Sequence, residues 1–140
     1  MFKYLKTENN SCHPSEVITM LFKAGDEPHD EIPAGCIFNM ISGGNIEPEY
    51  NGNTALFLAL TGKKQTETAH VKCLPILKDM VLEGPISPDE EADFFRVGSV
   101  CDIAPNENGK GTYITLNEGP LFVIVDDSRR NEGFVSIRKL

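Results

Sequence analysis

What this chain lacks narrows its chemistry first. No stretch approaches the roughly 18 consecutive apolar residues of a membrane-spanning helix, and the opening MFKYLKTENN has no apolar core of the kind a signal peptide carries. A protein made and kept in a cytoplasm, with no membrane partner, is therefore expected. No two of the four cysteines, Cys12, Cys36, Cys73 and Cys101, stand close enough for a zinc knuckle or a redox dithiol. Cys36, Cys73 and Cys101 fall inside apolar strand patterns, which predicts small buried hydrophobes without a disulfide. The basic residues are scattered. Their densest groups, Lys63-Lys64 and Arg129-Arg130 with Arg138-Lys139, have no aromatic stacking platform among them. The formal net charge is −8, and a negative field repels phosphate backbones, so nucleic acid is not an expected partner.

Signatures of catalysis are missing in the same way. The three histidines, His13, His29 and His70, lie in dissimilar contexts, and no nucleophile elbow accompanies them. The segment Asn108-Gly109-Lys110-Gly111-Thr112 superficially matches a phosphate loop. It fails because Ala104 stands where the first glycine belongs and Gly111 follows the lysine in place of a hydroxyl residue; a hairpin turn accounts for it. Asp26, Glu27, His29, Asp30 and Glu31 crowd donors for a cation into six residues. Pro28 and Pro33 stiffen that segment and no central glycine lets it turn sharply, so it reads as a solvated acidic loop. Asp126-Asp127 could pair as acid and base, but neighbouring residues on a strand point to opposite faces. No catalytic residue, metal ligand or cofactor is assigned.

What is present is strand pattern. At 140 residues, 40% apolar and 24% charged, the chain is large enough to bury a core without staples. The stretch His70 to Ile86, HVKCLPILKDMVLEGPI, carries two apolar runs with a connection at Leu77 to Asp79, and it reads as paired strands at the centre of the fold. The second run is expected to stop at Gly84-Pro85. Ser15 to Lys23, SEVITMLFK, is read as a strand with Val17, Thr19 and Leu21 on one side and Ile18, Met20 and Phe22 on the other. Cys36 to Ile41 follows as another strand, then a long turn-rich loop over 42–54. Ala55 to Leu60 is apolar on both faces and reads as a buried strand. Ser87 to Phe95 has the clearest helix start, since Ser87 can cap, Pro88 suits the first position and Glu90 completes a capping box. Val97 to Ile103, Tyr113 to Asn117, Leu121 to Asp126 and Phe134 to Arg138 complete about nine short strands, with a hairpin expected across Glu118-Gly119-Pro120. The fold class is all-β: a small barrel or sandwich of short, mostly antiparallel strands with one short helix near residues 88–95. Residues 1–14 form an N-terminal arm or edge strand, and 15–140 one β-rich domain.

Three pieces taken together resemble the small decoration, or cement, proteins on the heads of tailed bacteriophages. They are the Lys23-Ala24-Gly25 turn with a second Ala34-Gly35 pair before a strand, the HVKCLPILKDMVLEGPI stretch, and VGSVCDIA followed by GKGTYITLNEGPLFVIVDD. These cover about half the chain and none is a catalytic signature. The resemblance implies a β-rich, noncatalytic virion protein on the capsid exterior that clamps and stabilises the shell. The major capsid protein is its implied partner, and a homo-oligomer, a trimer among the options, its implied state. Phe2, Tyr4 and Leu5 are the expected capsid contacts, by adding a strand to a capsid edge. A tail or connector β-barrel protein and a small-molecule-binding barrel are the competing readings.

Overall fold

A computed structural model describes residues 1–8, 16–40, 46–47, 56–106, 111–116 and 121–140. Eleven strands occur among them: β1 (Lys3–Thr7), β2 (Ile18–Phe22), β3 (Ile37–Met40), β4 (Ile46–Glu47), β5 (Leu56–Ala59), β6 (Ala69–Pro75), β7 (Met80–Pro85), β8 (Val100–Pro105), β9 (Thr112–Thr115), β10 (Phe122–Asp126) and β11 (Phe134–Lys139). The helical elements of the described residues are three single 3₁₀ turns, Pro28–Asp30, Ala92–Phe94 and Arg130–Glu132. The chain is thus all-β. It forms a six-stranded sheet in the order β1-β7-β11-β10-β8-β9 and a five-stranded sheet in the order β2-β6-β5-β3-β4. Both sheets are open. Among the described residues the first ends on β1 and β9 and the second on β2 and β4, so the closed-barrel form of the expectation does not hold.

The residues group into two compact units. One comprises Met1–His13, Leu77–Ile103 and Tyr113–Leu140, the other Pro14–Ile76 and Ala104–Thr112. The N-terminal segment therefore belongs to the first unit, where β1 pairs antiparallel with β7. The division also corrects the reading of the central stretch. β6 and β7 do not pair with each other: β6 lies between β2 and β5, and β7 between β1 and β11. Alternation along each run correctly marks a strand, but it carries no information about the partner. In the turn between them Asp79 has a positive φ of 69°, and its N–H donates to the Lys139 carbonyl at 2.8 Å.

Other local expectations shift for identifiable reasons. β7 runs through Gly84-Pro85 instead of stopping there. Proline is tolerated because it is the last residue of the strand, and Gly84 is needed because a Cβ there would collide with the Phe2 ring. The helix expected near 88–95 is reduced to the 3₁₀ turn Ala92–Phe94, and the capping box of Ser87 and Glu90 does not form. The Glu90 carboxylate instead accepts the Leu116 N–H at 3.0 Å and the Thr115 hydroxyl, which ties it to the end of β9. An acid engaged this way is not available to satisfy a helix start. β9 and β10 are not hairpin partners, since β8 lies between them; the expected turn at Glu118-Gly119-Pro120 is outside the described residues. β4 lies in the stretch read as loop.

Each unit buries its own apolar residues. In the second unit Phe22, Ile32, Cys36, Phe38, Phe57, Ala59, Val71 and Cys73 form one cluster, with Phe38 stacked on Phe57 at 5.7 Å and edge-on to Phe22 at 5.9 Å. Offset and edge contacts of this kind add about 1 kcal/mol beyond simple burial. β5 is buried along its whole length, as its two-faced apolar pattern predicts. Lys63 is also buried there, and its ammonium donates to the carbonyls of Lys64 and Glu67, each at 3.0 Å. In the first unit Phe2, Met80, Leu82, Phe95, Cys101, Ile114, Phe122, Ile124 and Ile137 are buried.

Candidate functional site

The three residues expected to make contacts separate sharply. Phe2 is 2% exposed and lies against Gly84 in β7, so it anchors the segment to its own unit and is not offered to a partner. Tyr4 and Leu5 are 41% and 43% exposed. The Tyr4 hydroxyl is hydrogen-bonded to Thr7 Oγ1 at 2.8 Å, which holds the ring along the strand. The register with β7 slips at this point, since Tyr4 faces Leu82 while Lys6 faces Val81, leaving Leu5 as the extra residue of a bulge. The exposed lysines Lys3 and Lys6 flank the bulge, and Lys3 reaches Glu83 at 3.8 Å. Bulges and edge lysines are the devices by which a sheet discourages another strand from pairing. β1 therefore presents apolar side chains on a strand whose outer backbone edge carries a bulge and lysines.

The ionisable residues weighed in the sequence are mostly occupied by local structure. Asp126 accepts the Ser128 N–H at 2.8 Å, and this bond holds its carboxyl below the ordinary value. Asp127 accepts the Val97 N–H at 3.1 Å and pairs with Arg130 at 3.6 Å. Asp30 accepts the Glu27 N–H at 2.9 Å within the acidic loop. His70 is exposed on β6 opposite Leu21. His13 and Cys12, and Asn108 to Lys110 of the rejected phosphate loop, lie outside the described residues. Among the described residues no group of three or more His, Cys, Asp or Glu side chains is gathered as a cation would require. None of the helices among them is long and apolar enough to cross a membrane.

The cysteines behave as packing residues. Cys36, Cys73 and Cys101 are buried free thiols. Burial pushes Cys36 and Cys101 up to about 12 and Cys73 to about 11, from an ordinary value of 9.0. At neutral pH they are protonated, and the thiolate needed for attack or metal binding is negligible.

Arg129 organises a shallow recess in the first unit, with Glu83, Asp126, Ser128, Phe134, Val135 and Ser136 around it. Its guanidinium binds Glu83 at 2.6 Å and Glu132 at 2.8 Å and lies 5.0 Å from the centre of the Phe134 ring. With two carboxylates and a ring satisfied, Arg129 has little left to offer an anion. The recess has a volume of about 20 Å³, room for about one water and far below the roughly 300 Å³ at which small-molecule pockets begin.

Exposed apolar surface is where the molecule has uncommitted chemistry. Sequence reasoning did not separate Phe94, which is exposed, from the buried Phe95 beside it, and Val97 and Val100 are exposed close by. Leu21 of β2 is exposed on the side opposite Phe22, and Val17, just before the strand, is exposed as well. The alternation in SEVITMLFK marks Val17, Thr19 and Leu21 as one face; that this face is the outer one is settled by which face carries Phe22 into the core. Comparison with known proteins finds no matching family model, no similar curated protein and no similar solved structure.

Proposed function

We propose that this chain is a noncatalytic structural protein of a tailed-phage virion that binds the outer surface of the capsid and stabilises it, with the major capsid protein as its partner. The observation that carries the reading is the β1 edge: an apolar pair, Tyr4 and Leu5, displayed on a strand that Phe2 pins to its own unit. Rigid, pre-positioned apolar side chains bind with little ordering cost. Adhesion of this kind spreads over a surface and needs no titrating centre. It also suits an acidic exterior protein that stays clear of the packaged genome. The bulge and the lysines favour contact through side chains over strand addition.

Purified protein is expected to co-sediment with capsids that lack it and to raise their disruption temperature, because a ligand selective for the assembled shell stabilises it by mass action. The double variant Tyr4→Ser, Leu5→Ser is expected to weaken that binding by about tenfold or more, roughly 1.4 kcal/mol, while leaving the fold intact. Failure of the wild-type protein to bind mature capsids, together with its recovery from tails, would replace this reading with that of a tail or connector component.

A further inference from the structure

The two edges that open the β1 and β2 ends of the sheets are built differently, and the difference assigns a second partner. β1 is bulged and carries a lysine on each side of the bulge. β2 pairs with β6 without a slip over five consecutive residues, Ile18 with Cys73 through Phe22 with Ala69, and carries no charge within its length. Its first neighbours with charge are Glu16 on one side and Lys23 on the other. Among the described residues no strand covers its far side.

The direction of its backbone groups follows from its neighbours. Lys72 of β6 donates its N–H to Thr61 Oγ1 at 2.9 Å, and its carbonyl accepts the Leu60 N–H at 2.8 Å, both on the β5 side. Backbone groups alternate in direction along a strand, so Ala69, Val71 and Cys73 turn theirs toward β2. Their partners Phe22, Met20 and Ile18 answer them. Thr19 and Leu21 therefore point their N–H and C=O groups outward, along an edge where the side chains of Leu21 and of Val17, the residue just before β2, are 55% and 52% exposed. This is a template for another strand, without the protection that β1 carries.

We propose that β2 pairs antiparallel with β2 of a second copy of this chain, about a two-fold axis through Thr19. A two-fold interface must be self-complementary, and this segment is. With Thr19 opposite Thr19 of the other copy, Val17 faces Leu21 on the exposed side of the sheet and Ile18 faces Met20 on the other. The Thr19–Thr19 pair exchanges two backbone hydrogen bonds, and β2 lengthens by one residue so that Val17 of each copy pairs with Leu21 of the other. The flanking charges select this arrangement over a parallel one. Antiparallel pairing brings the Glu16 end of one strand to the Lys23 end of the other, whereas parallel pairing sets like against like. The five-stranded sheet becomes a continuous ten-stranded one. The capsid reading is not a premise of this inference, since β1 takes no part in it.

Sedimentation equilibrium of the full-length chain tests the proposal, with circular dichroism and thermal unfolding as controls for the fold. The wild-type protein is expected to dimerise. Leu21→Lys, which places a charge in the seam, is expected to raise the dissociation constant by about tenfold or more. Thr19→Pro removes an outward donor while the β6 pairing keeps all of its own, so it is expected to do the same, and Tyr4→Lys on the guarded edge is expected to leave the dimer unchanged. In a Cys12→Ser background, Thr19→Cys is expected to form an intermolecular disulfide on mild oxidation, because directly opposed residues in such a pair have Cα atoms about 5.5 Å apart. A wild-type monomer at about 100 µM, a trimer or larger assembly, a dimer that survives Leu21→Lys with the fold intact, or absence of the Thr19→Cys cross-link would each overturn the proposal.

Discussion

Phe2 and Gly84 make a single structural unit out of two residues that are far apart in sequence. The ring occupies the space that any side chain at position 84 would need, so the pair accounts both for the glycine within β7 and for the anchoring of the N-terminus. Phe2→Ala is expected to destabilise the protein by about 3–5 kcal/mol in urea unfolding, the usual cost of emptying a buried phenylalanine site. A loss below about 1 kcal/mol would mean that the ring is not part of the core. Removing residues 1–5 should likewise destabilise the first unit, because it deletes this anchor along with the exposed pair. The thiols offer a pH test at the same scale. In the unfolded chain they ionise near 9.0, whereas in the folded chain they hold their protons to about 11 or 12. Between these values the unfolded state binds fewer protons, so stability falls as pH rises from about 9, and below that pH the thiols contribute no slope. Urea unfolding at pH 8 and pH 10 should show this loss, and Cys101→Ala should make it smaller; an unchanged loss in the variant would contradict the burial argument.

At the scale of elements, alternation in the sequence located most strands but not their partners. β2, β5 and β7 were legible because apolar and β-branched residues recur with a period of two or fill both faces. The neighbours of β6 and β7 were not, because a strand and the next one along the chain pair only by default, and here the turn at Leu77 to Asp79 passes between two sheets. The N-terminal patch shows the same limit at a candidate site. Phe2, Tyr4 and Leu5 look alike in composition, and only the partner strand decides that one is core and two are surface. Gly84 was the available signal, since a glycine within an apolar strand marks close approach by another group. Glu90 is the instructive failure: its spacing from Ser87 is that of a capping box, yet its carboxylate is spent on Thr115 and Leu116. Glu90→Gln is therefore expected to destabilise the protein by about 1–3 kcal/mol by removing a charged acceptor from two donors, whereas an exposed helix cap would lose less. Thermal unfolding of Glu90→Gln beside Ser87→Ala distinguishes the two, and a larger effect at Ser87 would restore the capping reading.

For the whole molecule, the two candidate surfaces fall in different units. The first unit carries the guarded edge with its displayed apolar pair, and the second carries the unguarded edge suited to a second copy. A net charge of −8 keeps such a protein soluble until a specific surface offsets the repulsion. The proposed capsid contact runs through the Tyr4–Leu5 edge. A density map of the virion proposed to carry this chain, at a resolution that distinguishes strands, tests that contact. Two-sheet density is expected on the outer face of the head, with the β1 edge of the six-stranded sheet against the major capsid protein. Density for this fold confined to the tail or connector, or on the head with β1 facing solvent, would contradict it.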